Sequence, residues 1–164
     1  MSQRPRFEDL VFEYQTMVAR ICASYERDRD LCRDLCQEVW FAIWRALPAY
    51  RAEASLKTFV ARIAQFRAIS HATRHARRPA DEPLSAELID GEPPPDTVAI
   101  ASAERGSLLA AVRRLPLPYR QPVVLMLEDF SPAEIAALLG LSANLVGVRL
   151  NRARGLLRAL MEAS

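Results

Sequence analysis

Residues 131–160 read SPAEIAALLGLSANLVGVRLNRARGLLRAL, and their spacing decides the fold. Ser131, Pro132 and Glu134 are a helix start: a hydroxyl cap, a proline at the first helical position and the acid of a capping box. Ile135, Ala136, Leu138 and Leu139 give that helix an apolar side, and Gly140 is placed to cap its C-terminus. Ser142 caps a further helix carrying Val146, Leu150, Leu157 and Leu160. Helix, three-residue glycine-containing turn and second helix make a helix-turn-helix. The second helix carries Arg149, Arg152, Arg154 and Arg158, with no acid between Ser142 and Ala159. A solvated face normally mixes signs to gain ion pairs, whereas unbalanced cations suit a phosphate backbone.

Upstream, Leu108, Leu109, Val112 and Leu115 predict a short amphipathic helix ended by Leu115-Pro116-Leu117-Pro118. Pro118 is placed to start the next one, through Leu127. Residues 79–104 differ in kind, with five of the eleven prolines, seven acidic residues and no basic one. Proline removes backbone donors and restricts its predecessor, so this segment reads as a flexible acidic linker. At most ~85–90 Å long when extended, it reaches past the about 50–55 Å of one and a half turns of DNA.

The first block predicts three helices. Phe7, Leu10, Val11, Tyr14, Met17, Val18, Ile21, Cys22 and Tyr25 recur with helical period. Asp28 or Asp30 caps the second helix, where Leu31, Leu35, Val39, Ile43 and Leu47 repeat at spacing four until Pro48. Ser55 caps a long third helix with Leu56, Phe59, Val60 and Ile63 inward and Arg67, His71, Arg74 and Arg78 on the opposite side. Across 45–78 the basic residues Arg45, Arg51, Lys57, Arg62, Arg67, Arg74, Arg77 and Arg78 face a single acid, Glu53. The fold class is all-α: two small helical domains, 1–78 and 105–164, joined by the 79–104 linker.

Composition agrees and excludes alternatives. At 164 residues, with 51% hydrophobic and 26% charged, the chain is expected to fold rather than remain disordered. Neither GxGxxG nor GxxxxGK[ST] occurs among its five glycines, which argues against the common nucleotide-dependent enzymes. No apolar run approaches the roughly 20 residues of a membrane span, and MSQRPRFEDL lacks a signal-peptide core, so a cytoplasmic protein without membrane insertion is expected. The net charge of +2 hides a segregation of +5 over 1–78, −7 over 79–104 and +4 over 105–164. Two basic blocks around an acidic spacer suit a protein that meets a polyanion at two places.

Asp34-Leu35-Cys36-Gln37-Glu38-Val39-Trp40, then Ala46-Leu47-Pro48-Ala49-Tyr50-Arg51 and Ala54-Ser55-Leu56-Lys57-Thr58-Phe59, resembles the second region of extracytoplasmic-function (ECF) sigma factors, in the sigma-70 family of bacterial RNA polymerase. Leu115-Pro116, Arg120, Ser131-Pro132-Ala133-Glu134-Ile135-Ala136 and Val148-Arg149-Leu150-Asn151-Arg152-Ala153-Arg154 resemble that family's fourth region. The resemblance implies a transcription factor that binds core RNA polymerase, at the β′ clamp and β flap, and brings it to promoter DNA. It also implies control by an anti-sigma factor, which can be membrane-anchored, and no catalytic residue, cofactor or metal. Asp34, Leu35, Gln37, Glu38 and Trp40 would then dock on the polymerase. Arg51, Ser55, Lys57, Arg62, Phe66, Arg67, His71, Arg74, Arg77 and Arg78 would meet the minus-ten element. Ser142, Asn144, Leu145, Val146, Arg149, Arg152 and Arg154 would meet the minus-thirty-five element. The chain departs from the family at Phe66, usually Asn, and at Ser70, usually Asp. Asn144-Leu145-Val146-Gly147-Val148-Arg149-Leu150 replaces the common Gly-Thr-Val-Lys-Ser-Arg-Leu, which implies an altered promoter preference.

Two other readings compete. A sigma-like decoy would keep the fold and sequester an anti-sigma factor without initiating transcription. A conventional helix-turn-helix repressor would not need the Asp34–Trp40 motif. For an enzyme, His71 and His75 have no acid nearby in sequence to orient them. Cys32 and Cys36 share a helical face, so with Cys22 they suit either a zinc or redox site or, more simply, three small buried residues of a cytosolic protein.

Overall fold

The computed structural model describes residues 4–76 and 96–164; Arg77, Arg78 and most of the expected linker lie outside them. Three helices form the first domain: α1 (Phe7–Ala23), α2 (Arg29–Ala46) and α3 (Leu56–His75). Asp28 caps α2 by accepting from the amides of Asp30 and Leu31, and Pro48 sits in the 3-10 turn Leu47–Ala49 that ends it. Ser55 caps α3 by accepting from Thr58 N. Leu10, Val18 and Ile21 of α1, Leu35, Val39 and Ile43 of α2, and Val60, Ala61, Ala64 and Ala68 of α3 make the core. Burying each of the larger side chains contributes about 1.5–3 kcal/mol.

Four helices form the second domain: α4 (Asp96–Arg114), α5 (Leu117–Leu127), α6 (Pro132–Leu139) and α7 (Ala143–Glu162). Val112, Leu115, Val123, Leu125, Ile135, Val146, Leu150 and Ala153 fill its interior. α4 begins at Asp96 and so takes in residues 96–104 of the expected linker. The prolines that argue against a helix stop at Pro95, and Asp96–Glu104 contains neither proline nor glycine while holding three alanines.

Two left-handed residues shape the turns around α6. Asp129 (φ +64°) closes α5, with Phe130 N donating to Leu125 O and Asp129 N to Met126 O, the paired bonds of a Schellman motif. Gly140 (φ +66°) does the same for α6, where Leu141 N donates to Ala136 O. Ser131 and Glu134 complete the capping box in both directions, and the chain bends by 107° from α6 into α7.

The two domains are not held apart. Arg20 on α1 meets Glu128 after α5, Arg113 Nε donates to Ala23 O at 2.6 Å, and Gln65 Nε2 donates to Gln121 O at 3.1 Å.

A Cβ added at Gly140 would meet no atom within 4 Å, so a substitution there is opposed by backbone conformation alone. Gly140→Ala is expected to lower stability by about 1 kcal/mol, with Gly140→Asn losing less because asparagine tolerates the left-handed region. Chemical denaturation measures both. Equal stability of alanine and glycine would show that the turn relaxes.

Candidate nucleic-acid interface

Three helix faces carry the residues singled out from the sequence. On α2 the interior takes Leu35, Val39 and Ile43, and Asp34, Gln37 and Glu38 lie on the solvent side. Leu35 is therefore corrected: fully buried, it holds the helix in place and is closed to a partner protein. Trp40 is half-buried, edge-on to Phe7 with ring centroids 6.0 Å apart. Sequence reasoning missed Phe41. It is 58% exposed and stacks at 6.0 Å on Trp44, itself 56% exposed, with the Arg45 guanidinium 5.8 Å from the Phe41 ring. Two large exposed aromatics beside acids make a surface suited to burial by a partner protein. The signal was available, since 34, 37, 38, 41 and 45 follow helical spacing.

On α3, Arg62, Phe66, Arg67 and Arg74 are exposed on the side away from the alanine-rich seam. Phe66 is 67% exposed, so it stands outside the core among cations. A flat apolar ring between arginines is the arrangement that stacks an unpaired base while the backbone is neutralised. His71 is corrected. It is 6% exposed and its Nε2 lies 2.5 Å from Glu26 Oε2, an acid 45 residues away in sequence. His75 stacks on His71 at 4.0 Å and donates from Nδ1 to the His71 carbonyl. Through His71, α3 is tied to the loop that follows α1. Arg51 and Ser55 are exposed, but the Ser55 hydroxyl already serves as the α3 cap. Lys57 is held by the second domain: its Nζ donates to Glu128 O at 2.7 Å and lies 4.6 Å from the Phe130 ring centroid.

On α7, Ser142 Oγ accepts from Leu145 N at 3.1 Å, which leaves Asn144 and Leu145 exposed at the start of the helix. Val146 is corrected to a fully buried core residue, so no base can reach it. Val148, 55% exposed, and Asn151 lie on the exposed side with Asn144 and Arg152 at helical spacing, and the sequence reading passed over both. Arg154 is exposed and Arg149 half-buried. This face offers two amides for base edges, two aliphatic side chains for thymine methyls and arginines further along for phosphates.

The cysteines form a small cluster. The hydrogen bond to Cys22, with burial, pushes the Cys36 thiol up to about 11 against the lowering effect of its bond to Cys32; the bond to Cys36, with burial, pushes the Cys32 thiol up in turn. Thiols held protonated at neutral pH are poor nucleophiles and metal ligands. Among the described residues no group of histidines, cysteines and acids could hold a metal ion. Nor is any single described helix long and apolar enough to cross a membrane.

No curated protein matches the sequence. Among solved structures, CnrH in complex with the cytosolic domain of CnrY is similar at 23% identity and a TM-score of 0.69, covering 96% of this chain and 88% of that one. The sigma factor RpoE in complex with the anti-sigma factor NepR, from Bartonella quintana, is similar at 19% identity and 0.67, covering 94% of this chain and 98% of that one. Residues 10–78 match the family Sigma-70 region 2 and residues 105–157 match Sigma-70, region 4. These two stretches coincide with the domain bearing α2 and α3 and the domain bearing α7; together they cover most of the chain, which belongs to the sigma-70 family.

Proposed function

We propose that this sigma factor binds core RNA polymerase through the outer face of α2, places α3 against the minus-ten element and reads the minus-thirty-five element with α7. The observation that supports this best is the placement of two unlike surfaces side by side in the first domain. The acidic and aromatic face of α2 borders the cationic face of α3, with Arg74 Nη2 3.9 Å from Glu38 Oε2. A partner protein seated on Asp34, Gln37, Glu38, Phe41 and Trp44 would therefore lie beside a strand held on Arg62, Phe66 and Arg67. Phe66 stacks a base displaced from the duplex while the arginines hold its backbone. On α7, Asn144 pairs with adenine and Leu145 or Val148 meets a thymine methyl, while Arg152 and Arg154 hold phosphates. One similar structure is a sigma factor bound to an anti-sigma factor, which supports control of this chain by such a partner.

In-vitro transcription with core polymerase is the deciding experiment. Promoter-dependent product supports the reading, and tight anti-sigma binding with no product would leave the decoy in its place. Gln37→Ala with Glu38→Ala is expected to abolish co-elution with core polymerase and leave helical content intact, since both side chains are exposed. Retained co-elution would move the docking face elsewhere.

Across a series of promoter variants, Asn144→Ala is expected to lose about 1–3 kcal/mol at one base position and to relax preference there. Arg152→Ala is expected to weaken every variant alike and to flatten the salt dependence. An Asn144→Ala protein that lowers all variants equally would reduce Asn144 to a helix-start residue.

A further inference from the structure

A hollow of about 1340 Å3 lies where the end of α3 and the loop between α1 and α2 face α4. Most small-molecule sites measure about 300–1,000 Å3, so an organic ligand fits here together with its water. From the second domain the lining is one face of α4. Gly106, Leu109 and Ala110 make its apolar floor, with Arg105 towards one end and Arg113 and Arg114 towards the other. From the first domain come Ala72 and Ala76 of α3 and Arg27 of the loop. Gly106 keeps the floor open, since a Cβ added there would meet no atom within 4 Å.

The charge of this lining is one-sided. Its only acid among the described residues, Glu26, is already paired with His71, whereas Arg27, Arg105, Arg113, Arg114 and Arg120 all border the hollow. Arg120 is engaged within the fold, donating from Nε and Nη2 to Leu115 O at 3.2 and 2.9 Å. Arg113 uses its Nε on Ala23 O at 2.6 Å, and Arg105 and Arg114 make no hydrogen bond or ion pair among the described residues. Burial, with the charge of Arg27 nearby, holds the Arg113 guanidinium below its ordinary value. Like charges gathered between low-dielectric walls repel one another and raise the local potential, and a bound anion relieves both.

We propose that this hollow is a binding site for a nucleoside polyphosphate. Arg27, Arg113 and Arg114 donate to the phosphate chain, whose oxygens match the guanidinium fork. The base lies over Gly106, Leu109 and Ala110, and Arg105 meets its plane or its edge, as guanidinium groups do with bases. Two features favour this ligand over a bare phosphate ion and over duplex DNA. Arg105 and Arg113 leave α4 about 12 Å apart along the helix, with apolar surface between them, which suits a molecule charged at one end and flat at the other. A duplex takes a helix face into its groove, whereas a hollow bounded by helices of both domains admits a small molecule. The site lies outside the docking and promoter faces proposed above. It adds a small-molecule input to a protein that those faces describe through macromolecules alone.

Titration calorimetry of the full chain, with ATP, GTP, adenosine and inorganic tripolyphosphate as probes, tests this without polymerase or promoter. One saturable site is expected, with a nucleotide about tenfold tighter than tripolyphosphate and adenosine showing no measurable heat. Arg114→Ala is expected to weaken nucleotide and tripolyphosphate alike by about tenfold. Gly106→Trp fills the floor without touching a cation and is expected to bring the nucleotide down to the level of tripolyphosphate, while Gly106→Ala leaves both unchanged. Either replacement of this glycine favours the helix, so circular dichroism should hold. Arg152→Ala, on α7, leaves nucleotide binding unchanged and separates the site from an anion held loosely on a DNA-facing helix. Tripolyphosphate as tight as the nucleotide, unaltered nucleotide affinity in Gly106→Trp or Arg114→Ala, or an equal loss in Arg152→Ala would overturn the proposal. Absence of saturable binding would overturn it too, and would leave the hollow to the acidic side chains of 81–92.

Discussion

Close approach of α3 to α1 and α2 is the constraint on which the first domain depends. The seam is narrow: Val60, Ala61, Ala64 and Ala68 are fully buried and follow one another at steps of one, three and four. Three alanines let the neighbouring backbones come near, and a larger side chain at any of them would overpack the site at about 1–3 kcal/mol. The seam still leaves one exposed strip along the helix, at Arg62, Phe66, Arg67, Thr73 and Arg74. That is why one helix can be both the centre of a core and a cationic surface carrying Phe66. The same economy recurs in α7, where Val146, Leu150 and Ala153 are the buried residues and the opposite side carries Asn144, Val148, Asn151 and Arg152.

Adjacency of α2 and α3 then has a consequence that neither helix has alone. The Arg74–Glu38 pair at their border is exposed on both sides, and such pairs contribute little to stability. Its value lies in location. A protein that covers Glu38 removes the acid from Arg74 and leaves that arginine to a phosphate, so occupation of the α2 face strengthens the cationic character of α3.

Much of this was legible in the sequence because it is local. Caps at Asp28, Ser55, Ser131 and Ser142, the stop at Pro48 and the left-handed Gly140 depend on a few neighbouring residues, and each is found in place. The errors share a cause. Leu35 and Val146 sit inside stretches that resemble functional motifs, and a motif does not say which of its members face inward. The buried spacing 35, 39, 43 and 146, 150, 153 answers that question. His71 was misplaced because its partner Glu26 lies in the loop between α1 and α2, 45 residues away. The docking of the domains through Glu128 was equally beyond a reading by helical period, since its partners Arg20 and Lys57 are 108 and 71 residues away.

Docking also changes what the charge of the chain means. The basic blocks of +5 and +4 suggest two surfaces for a polyanion, yet Arg20, Lys57, Arg113 and Arg120 are all engaged where the domains meet. Burial pushes the guanidinium groups of Arg113 and Arg120 below their ordinary value, whereas the hydrogen bonds that Arg20 donates to Glu128 push its own above. A cation committed to a carboxylate or a carbonyl does not release counterions from DNA, and each phosphate it would have neutralised adds about 0.9 to the slope of affinity against salt. The closed chain thus presents fewer working cations than its composition counts. Arg20 stays 60% exposed beside its carboxylate partner, and Lys57 is the cation that this contact draws away from the α3 face.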